Sequence, residues 1–334
     1  MKNYCTLFDR NYLYKGLTLY FSLKEHAGDF KLYILCMDDI TLELLTRMSL
    51  PQVELISLAE FENEALLKAK KERTVTEYSW TCTSSLCYYM LQQKKVDHII
   101  YLDADLFFFN DPQTMFEEID GASIAIIEHR SPIKKYDDIV GKYNVGLIYF
   151  KNDDDGYDCC QWWAERVLEW CFYRYEDGKY GDQLYLNDWP TRFKNVRVIK
   201  HDGVGIAPWN LKVDYHVSQK DGKLFVNDLP LIFYHFHAFY LLRGNDFGRA
   251  VGYFIPKQKG KLIYPPYIEQ IKKSIEFVSK YDSQFHYGYK ELPFKYKMMN
   301  LVYNKIVPEK IIFFLTRIKY KIMNNQYEKA KNQS

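Results

Sequence analysis

Short apolar runs alternate along this chain with stretches whose apolar residues recur every three or four positions. Residues 4–8, 31–37 (KLYILCM), 53–57 and 98–102 (HIIYL) carry the first pattern and are predicted strands. Residues 12–26, with Leu13, Leu17, Tyr20 and Leu23 in helical register, carry the second, as do residues 41–48, 59–72 and 78–93; these are predicted helices. Such a rhythm calls for an α/β class protein with a mostly parallel, Rossmann-like sheet and helices on both faces. Residues 122–128 and 145–150 add strands, 156–175 a long helix with an aromatic face, and 183–188 a short helix. Composition shifts over residues 256–266, where KQKGK is followed by YPPY. The expected division is a main domain over residues 1–255 and a C-terminal extension over 256–334.

At 48% hydrophobic and 26% charged residues, the 334-residue chain is not a disordered protein. Its 45 Lys+Arg against 43 Asp+Glu give a net charge of +2, without the basic excess of a dedicated nucleic-acid binder. No nucleic-acid partner is expected. Seven cysteines, an odd number with no CxxC, indicate a reduced, cytoplasmic chain. The opening MKNYCTLFDR lacks a signal peptide's apolar stretch, and no segment approaches a membrane span.

The sharpest chemical signal is Asp103-Ala104-Asp105, directly after the 98–102 strand. In open α/β sheets, ligands bind beyond the carboxyl ends of strands. Two carboxylates at i and i+2 there can converge on Mg²⁺ or Mn²⁺, hard cations that share oxygen ligands with phosphates. The apolar residues 106–109 that follow make unpaired carboxylates costly; the alternative is a solvated turn bearing two surface acids. In residues 231–237 (LIFYHFH), strand alternation puts His235 and His237 on one face. Either imidazole could complete a site with two carboxylates, and either could equally be a satisfied core or surface histidine.

Further short motifs stand in a definite order. Asp9-Arg10-Asn11-Tyr12 follows the first strand, Tyr101-Leu102-Asp103-Ala104-Asp105 the fourth, then come Tyr143-Asn144-Val145-Gly146, Gly181-Asp182-Gln183 and His235-Phe236-His237-Ala238. In these motifs and their order, over roughly residues 4–239, the chain resembles nucleotide-sugar glycosyltransferases of the GT-A fold. More narrowly, it resembles the glycogenin-like and lipopolysaccharide galactosyltransferase family of retaining enzymes. The resemblance implies a UDP-sugar donor, a glycan or lipid-linked acceptor, and Mn²⁺ or Mg²⁺ held by Asp103, Asp105 and His235, with His237 as the alternate ligand. It implies that Thr6, Phe8, Asp9, Asn11 and Tyr12 bind the base and ribose and that Ala104 lies with the metal pair. Asn144 and Gly146 would line the donor sugar, and Asp182 and Gln183 would be the catalytic residues beside the reacting carbon. Trp209 and Asn210, after Ala207-Pro208, are expected on the acceptor side, with core packing as the alternative for the tryptophan.

Two departures leave the phosphate contacts unassigned. The helix before the metal strand reads WTCTSSLCYYM, with hydroxyls where the family carries a basic residue, and the family's glycine–lysine–proline–tryptophan stretch is absent after the late histidine. Two other functions compete. An aspartate-nucleophile phosphatase needs Thr or Val where Phe107 stands, usually after the first strand. A sugar- or nucleotide-binding module without turnover would keep the fold, but has no need of Asp182 and Gln183.

The tail differs in charge. Residues 295–334 hold eight Lys and one Arg against two Glu, which leaves the rest of the chain at about −5. Pro308-Glu309 predicts a helix start and a basic amphipathic helix near residues 309–323. Ile311, Leu315, Ile318 and Ile322 form its apolar stripe, Lys310, Arg317 and Lys321 a separate face, and Phe313, Phe314 and Tyr320 lie at the borders. Such a helix can lie on an anionic membrane surface, which would make the protein peripheral on the cytoplasmic face. The alternatives are packing on the main domain and binding to a partner protein.

Overall fold

The computed structural model describes residues 1–211, 215–244, 246–301 and 309–331. The first half alternates as predicted: β1 (Lys2–Phe8), α1 (Leu13–His26), β2 (Phe30–Cys36), α2 (Asp39–Met48) and β3 (Val53–Ser57). Three helices, α3 (Leu58–Phe61), α4 (Glu64–Glu72) and α5 (Val75–Gln92), then lead to β4 (His98–Leu102). The single helix predicted over residues 59–72 is thus two. Asn63 leaves the helical path and its side chain accepts from Leu66 N, which caps a new helix. A capping box between Thr74 and Glu77 starts α5.

After β4 come β5 (Leu106–Phe108), α6 (Gln113–Ile119), β6 (Ile124–Glu128), β7 (Tyr143–Lys151), α7 (Asp154–Glu169), α8 (Trp189–Arg192) and β8 (Val196–Ile199). Seven strands form one sheet in the order β3-β2-β1-β4-β7-β6-β8. Only β7 runs antiparallel to its neighbours in that sheet; the other adjacent pairs are parallel. The strands are nearly continuous apolar runs because both faces are covered. Tyr4 and Phe8 of β1 enter a core with α1 and α2, whereas Cys5 and Leu7 face a second core with α5 and α7. All seven cysteines are free and buried. The chain runs outward from β1 to β3, then returns to place β4 on the other side of β1. A crevice opens beyond the carboxyl ends of β1 and β4.

The helix predicted over residues 156–175 ends at Glu169. Trp170 turns extended (φ −148°, ψ 121°), and Tyr173 N donates to the Glu77 carboxylate at 2.8 Å. That tie to the start of α5 peels the chain off the helical path. The strand predicted over residues 231–237 is shortened to Phe233–His235 and pairs with β5. It stops there because Phe236 N donates to Asp105 O and Ala238 adopts a positive φ of 56°.

The composition shift at residues 256–266 falls within α9 (Lys257–Ser279), a helix that contains Pro265 and Pro266. Its Ile263, Tyr264, Tyr267 and Ile271 enter the same core as α1, and Ser274 Oγ lies 2.9 Å from Thr18 Oγ1. Helices α10 (Phe294–Leu301) and α11 (Glu309–Lys331) follow. Pro308 and the side chains of Lys310, Phe313, Leu315 and Arg317 lie outside the described residues. Ile312 of α11 is buried (5%), whereas Ile311, Phe314, Ile318 and Ile322 are 49%, 63%, 39% and 50% exposed. Among the described residues, no helix is long and apolar enough to cross a membrane.

Candidate active site

A cavity of about 880 Å³ occupies the crevice. Beyond β1, the chain turns through Asp9–Tyr12, with Tyr12 N bonded to Asp9 O at 2.9 Å. Asp9 accepts from Asn11 N at 3.0 Å and from Asn11 Nδ2 at 2.8 Å, which locks the turn. Phe8, Asp9, Asn11 and Tyr12 all line the cavity. Thr6 is wholly buried in β1 and does not.

Beyond β4, Asp103 N donates to Gly146 O at 3.0 Å, and Leu106 N to Asp103 O at 3.1 Å. This turn aims both carboxylates at His235, which the β5 pairing brings alongside. His235 Nε2 lies 3.0 Å from Asp105 Oδ1 and 3.6 Å from Asp103 Oδ2. One ligand atom from each of the three residues falls within 4.8 Å of the others. Two carboxylate oxygens and an imidazole nitrogen suit Mn²⁺ or Mg²⁺. Tyr101 OH donates to Asp103 Oδ1 at 3.0 Å, and Lys15 Nζ lies 3.7 Å from Asp105 Oδ2.

The charges are interdependent. Burial would raise the Asp105 pKa, but His235 and Lys15 outweigh it and hold the carboxyl below its ordinary range. Asp103 goes the other way: burial raises it, and Asp105 adds to the rise. Burial lowers His237 to about 4, with His235 contributing. His237 has left the strand, yet its ring lines the cavity 5.9 Å from that of His235.

Asp182 and Gln183, which also line the cavity, precede a short 3-10 turn, Leu184–Asp188. Asp182 is buried, and burial together with Asp103 raises its pKa well above the ordinary value. Gln183 Nε2 donates to Val140 O at 2.9 Å, which fixes the amide. Asn144 lines the cavity, and its Oδ1 accepts from Gly146 N at 2.9 Å. Gly146 lies behind the lining: a Cβ there would stand 3.0 Å from His235 Nδ1. Ala104 and Trp209 line the cavity, whereas Asn210 spends its amide on backbone at Ala207, Gly205 and His129 and does not.

Sequence reasoning missed several groups at the site, of which His129 and Lys290 line the cavity and Lys15 lies behind Asp105. His129 follows β6 directly, the same strand-end position that marked Asp103. Its Nδ1 donates to Gly141 O at 2.8 Å and its Nε2 accepts from Asn144 Nδ2 at 3.0 Å, and burial lowers its pKa to about 4. Lys15, one turn after Tyr12, carries its ammonium 4.2 Å from the Tyr12 ring centroid. It was legible only as a lone charge among apolar positions. Lys290 lines the cavity from the C-terminal extension, and no local signal marked it.

Residues 4–187 match the sequence profile of Glycosyl transferase family 8. Two uncharacterized proteins of Bacillus subtilis (strain 168) are similar over most of their length. YfnD is 34% identical over 293 residues, 86% of this chain and 94% of that protein. YfnF is 36% identical over 253 residues, 73% of this chain and 83% of that protein. Among solved structures, the galactosyltransferase LgtC in complex with donor and acceptor sugar analogs aligns with a TM-score of 0.49 and 12% identity. The alignment covers 89% of this chain and 99% of that one. The glycosyltransferase GlyE of Streptococcus pneumoniae TIGR4 aligns at 0.48 and 16%, covering 88% of this chain and 66% of that one.

Proposed function

The chain belongs to glycosyl transferase family 8, and on that premise we propose that it moves a sugar from a UDP-sugar to a glycan or lipid-linked acceptor, with retention at the sugar carbon. The observation that carries this reading is the convergence of Asp103, Asp105 and His235 in the cavity that Asp9, Asn11 and Tyr12 also line. Those three side chains would hold Mn²⁺ or Mg²⁺. Bound there, a divalent cation supplies Lewis-acid stabilisation of the charge that develops on the leaving diphosphate.

The remaining steps belong to the chain's own residues. The locked Asp9–Asn11 turn presents fixed acceptors and donors to the base and ribose, and Tyr12 offers a face for stacking. Asp182, buried in the cavity lining, would accept hydrogen bonds from the sugar hydroxyls. With its nitrogen held by Val140, Gln183 would present its amide oxygen to the reacting carbon. An amide is a poor nucleophile, so departure and attack on the same face fit better than a covalent intermediate. His129, neutral and in one tautomer, orients Asn144 against the sugar.

A thermal-shift panel of nucleotide sugars with and without Mn²⁺ tests this function. Ligand at about 100 times Kd adds roughly 2.7 kcal/mol. UDP-sugars should stabilise the protein only with Mn²⁺, and Asp103→Asn or Asp105→Asn should abolish the effect while circular dichroism is unchanged. Undiminished, metal-dependent stabilisation in both variants would overturn the metal assignment.

The acceptor side of the proposal involves α11. At about 100° per residue, Ile311, Phe314, Ile318 and Ile322 share one exposed face, and the exposed Lys319 and Lys321 flank it on either side. That arrangement supports docking on an anionic lipid surface, which would bring the site to a lipid-linked acceptor. Phe314→Glu with Ile318→Glu should abolish co-sedimentation with phosphatidylglycerol liposomes and spare activity on a soluble acceptor. Equal sedimentation would rule the docking out.

A further inference from the structure

Four carboxylates line the cavity, those of Asp9, Asp103, Asp105 and Asp182, against a single Lys or Arg among the described residues, Lys290. Helix α5 faces the cavity with Thr76, Ser79, Trp80 and Thr83, none of them basic. Arg10 is turned away: its Nε bonds Asp38 Oδ2 at 3.1 Å and its guanidinium lies over Tyr287. Lys15 is committed behind Asp105. A divalent cation held by Asp103 and Asp105 would have its charge largely offset by those ligands. A diphosphate entering beside it would still need a positive partner.

Lys290 is placed by more than its own side chain. Residues 285–290 form a strap between the Asp9–Tyr12 turn and the strand that follows the metal histidine, Tyr240–Leu242. On the turn side, the rings of Phe285 and Tyr289 meet Tyr14 edge-on at 5.4 and 6.1 Å. Gly288 approaches so closely that a Cβ would stand 2.8 Å from Asn11 O, and its φ of +86° favours glycine. On the strand side, Lys290 N donates to Leu241 O at 2.8 Å. The ammonium lies 4.7 Å from the Tyr240 ring centroid, and no carboxylate stands within ion-pair distance of it among the described residues. Partial burial and Lys15 lower its pKa, and only Asp9 opposes them, so the lysine lacks the anionic partner that would restore it.

Resting on the donor-binding role proposed above, we propose that Lys290 binds the diphosphate of the nucleotide and that the strap at residues 285–290 is the wall holding it there. This cation comes from the C-terminal extension, outside the residues matched by the family profile. It fills the phosphate contact left unassigned by the hydroxyl face of α5. Because the strap also rests on the nucleotide turn, Lys290 ties the position of the phosphates to that of the base.

The test compares wild type, Lys290→Gln and Lys290→Arg by calorimetry with UDP in the presence of Mn²⁺. Uridine binding is followed by saturation-transfer NMR, and Mn²⁺ binding alone by electron paramagnetic resonance. Lys290→Gln should weaken UDP by about tenfold or more, the range for a hydrogen bond to a charged group. It should leave Mn²⁺ and uridine binding unchanged, and Lys290→Arg should restore most of the loss. Wild-type UDP affinity in Lys290→Gln overturns the assignment while the donor-binding reading stands. A parallel loss for uridine also overturns it, since it would mark the lysine as structural. If wild-type protein binds neither UDP nor inorganic pyrophosphate with Mn²⁺, the donor-binding reading itself fails.

Discussion

The ammonium of Lys15 stands 3.7 Å from Oδ2 of Asp105 while His235 holds Oδ1 of the same carboxylate at 3.0 Å, so a buried acid is bracketed by two basic groups. Breaking a buried pair leaves a charge uncompensated, at a cost of about 3 kcal/mol or more. Lys15→Met should therefore lower the apo melting temperature. Added Mn²⁺ should recover part of the loss, with a larger metal-induced shift than in wild type, because Asp105 then has one competitor fewer. An unchanged apo melting temperature, or a smaller metal shift, would show that the pair carries little weight.

Gly146 sets the position of His235 from behind. A methyl group there would lie 2.5 Å from Asn144 Oδ1 and 3.0 Å from His235 Nδ1. His235 has little room to retreat, since the Trp209 ring packs against it at 5.3 Å. Gly146→Ala should cost about 1–3 kcal/mol through overpacking and weaken Mn²⁺ binding by at least about tenfold, read by paramagnetic resonance of free Mn²⁺. Native metal affinity would show that the imidazole is more adaptable than its packing implies.

What the sequence showed and what it hid divide by distance along the chain. Asp103 and Asp105 were legible because a strand end and an acidic pair are local features. The two helix misreadings have different origins. The break at Asn63 is a local cap hidden inside an apolar pattern, whereas the early end of α7 depends on Glu77, far away in sequence. The strand at His235 stops through a bond to Asp105 O that no pattern in residues 231–237 encodes. Lys290 was invisible for the same reason, because only the packing of the strap on Tyr14 and Leu241 brings it to the cavity.

The roles proposed for Asp182 and Gln183 would separate binding from turnover. Both are proposed to act at the sugar rather than the base, so neither should matter to the bare nucleotide. Asp182→Asn and Gln183→Ala should lower kcat by about a hundredfold or more, the scale of a positioned polar group, and leave UDP affinity within about threefold. Nucleotide affinity falling in step with rate would make both residues structural.

Asp137 gives the segment over residues 131–141, which contributes to the cavity lining, a pH dependence. Burial, with Asp138 beside it, raises its pKa to about 6. An acid whose folded pKa is raised binds its proton more tightly when folded. Its contribution is full below the ordinary value of 3.8 and is lost as pH climbs to about 6. Asp137→Asn should match wild-type melting near pH 4 and exceed it near pH 6.5. A constant difference across that range would mean that the carboxyl does not titrate there.

Asn324 links the C-terminal helix to that same loop. From the packed side of α11, its Oδ1 accepts from Lys134 N and its Nδ2 donates to Pro132 O, both at 3.0 Å. Ser131, Pro132, Ile133 and Tyr136 of this loop line the cavity. One side chain therefore holds two backbone groups of the cavity wall from a helix whose opposite face is exposed. The freed groups can turn to water, so Asn324→Ala should cost only about 1 kcal/mol per bond, or a few degrees in melting temperature. The local effect should be larger. Hydrogen exchange at Lys134 and its neighbours should accelerate, and KM for the acceptor should rise more than Kd for UDP, because the loop is not among the residues proposed to hold the nucleotide. Adding phosphatidylglycerol liposomes should slow exchange in the wild-type loop but not in Asn324→Ala, since the amide links the wall to the helix proposed to dock on lipid. Equal protection of the loop in both proteins, with and without liposomes, would show that α11 packs there without steering the site.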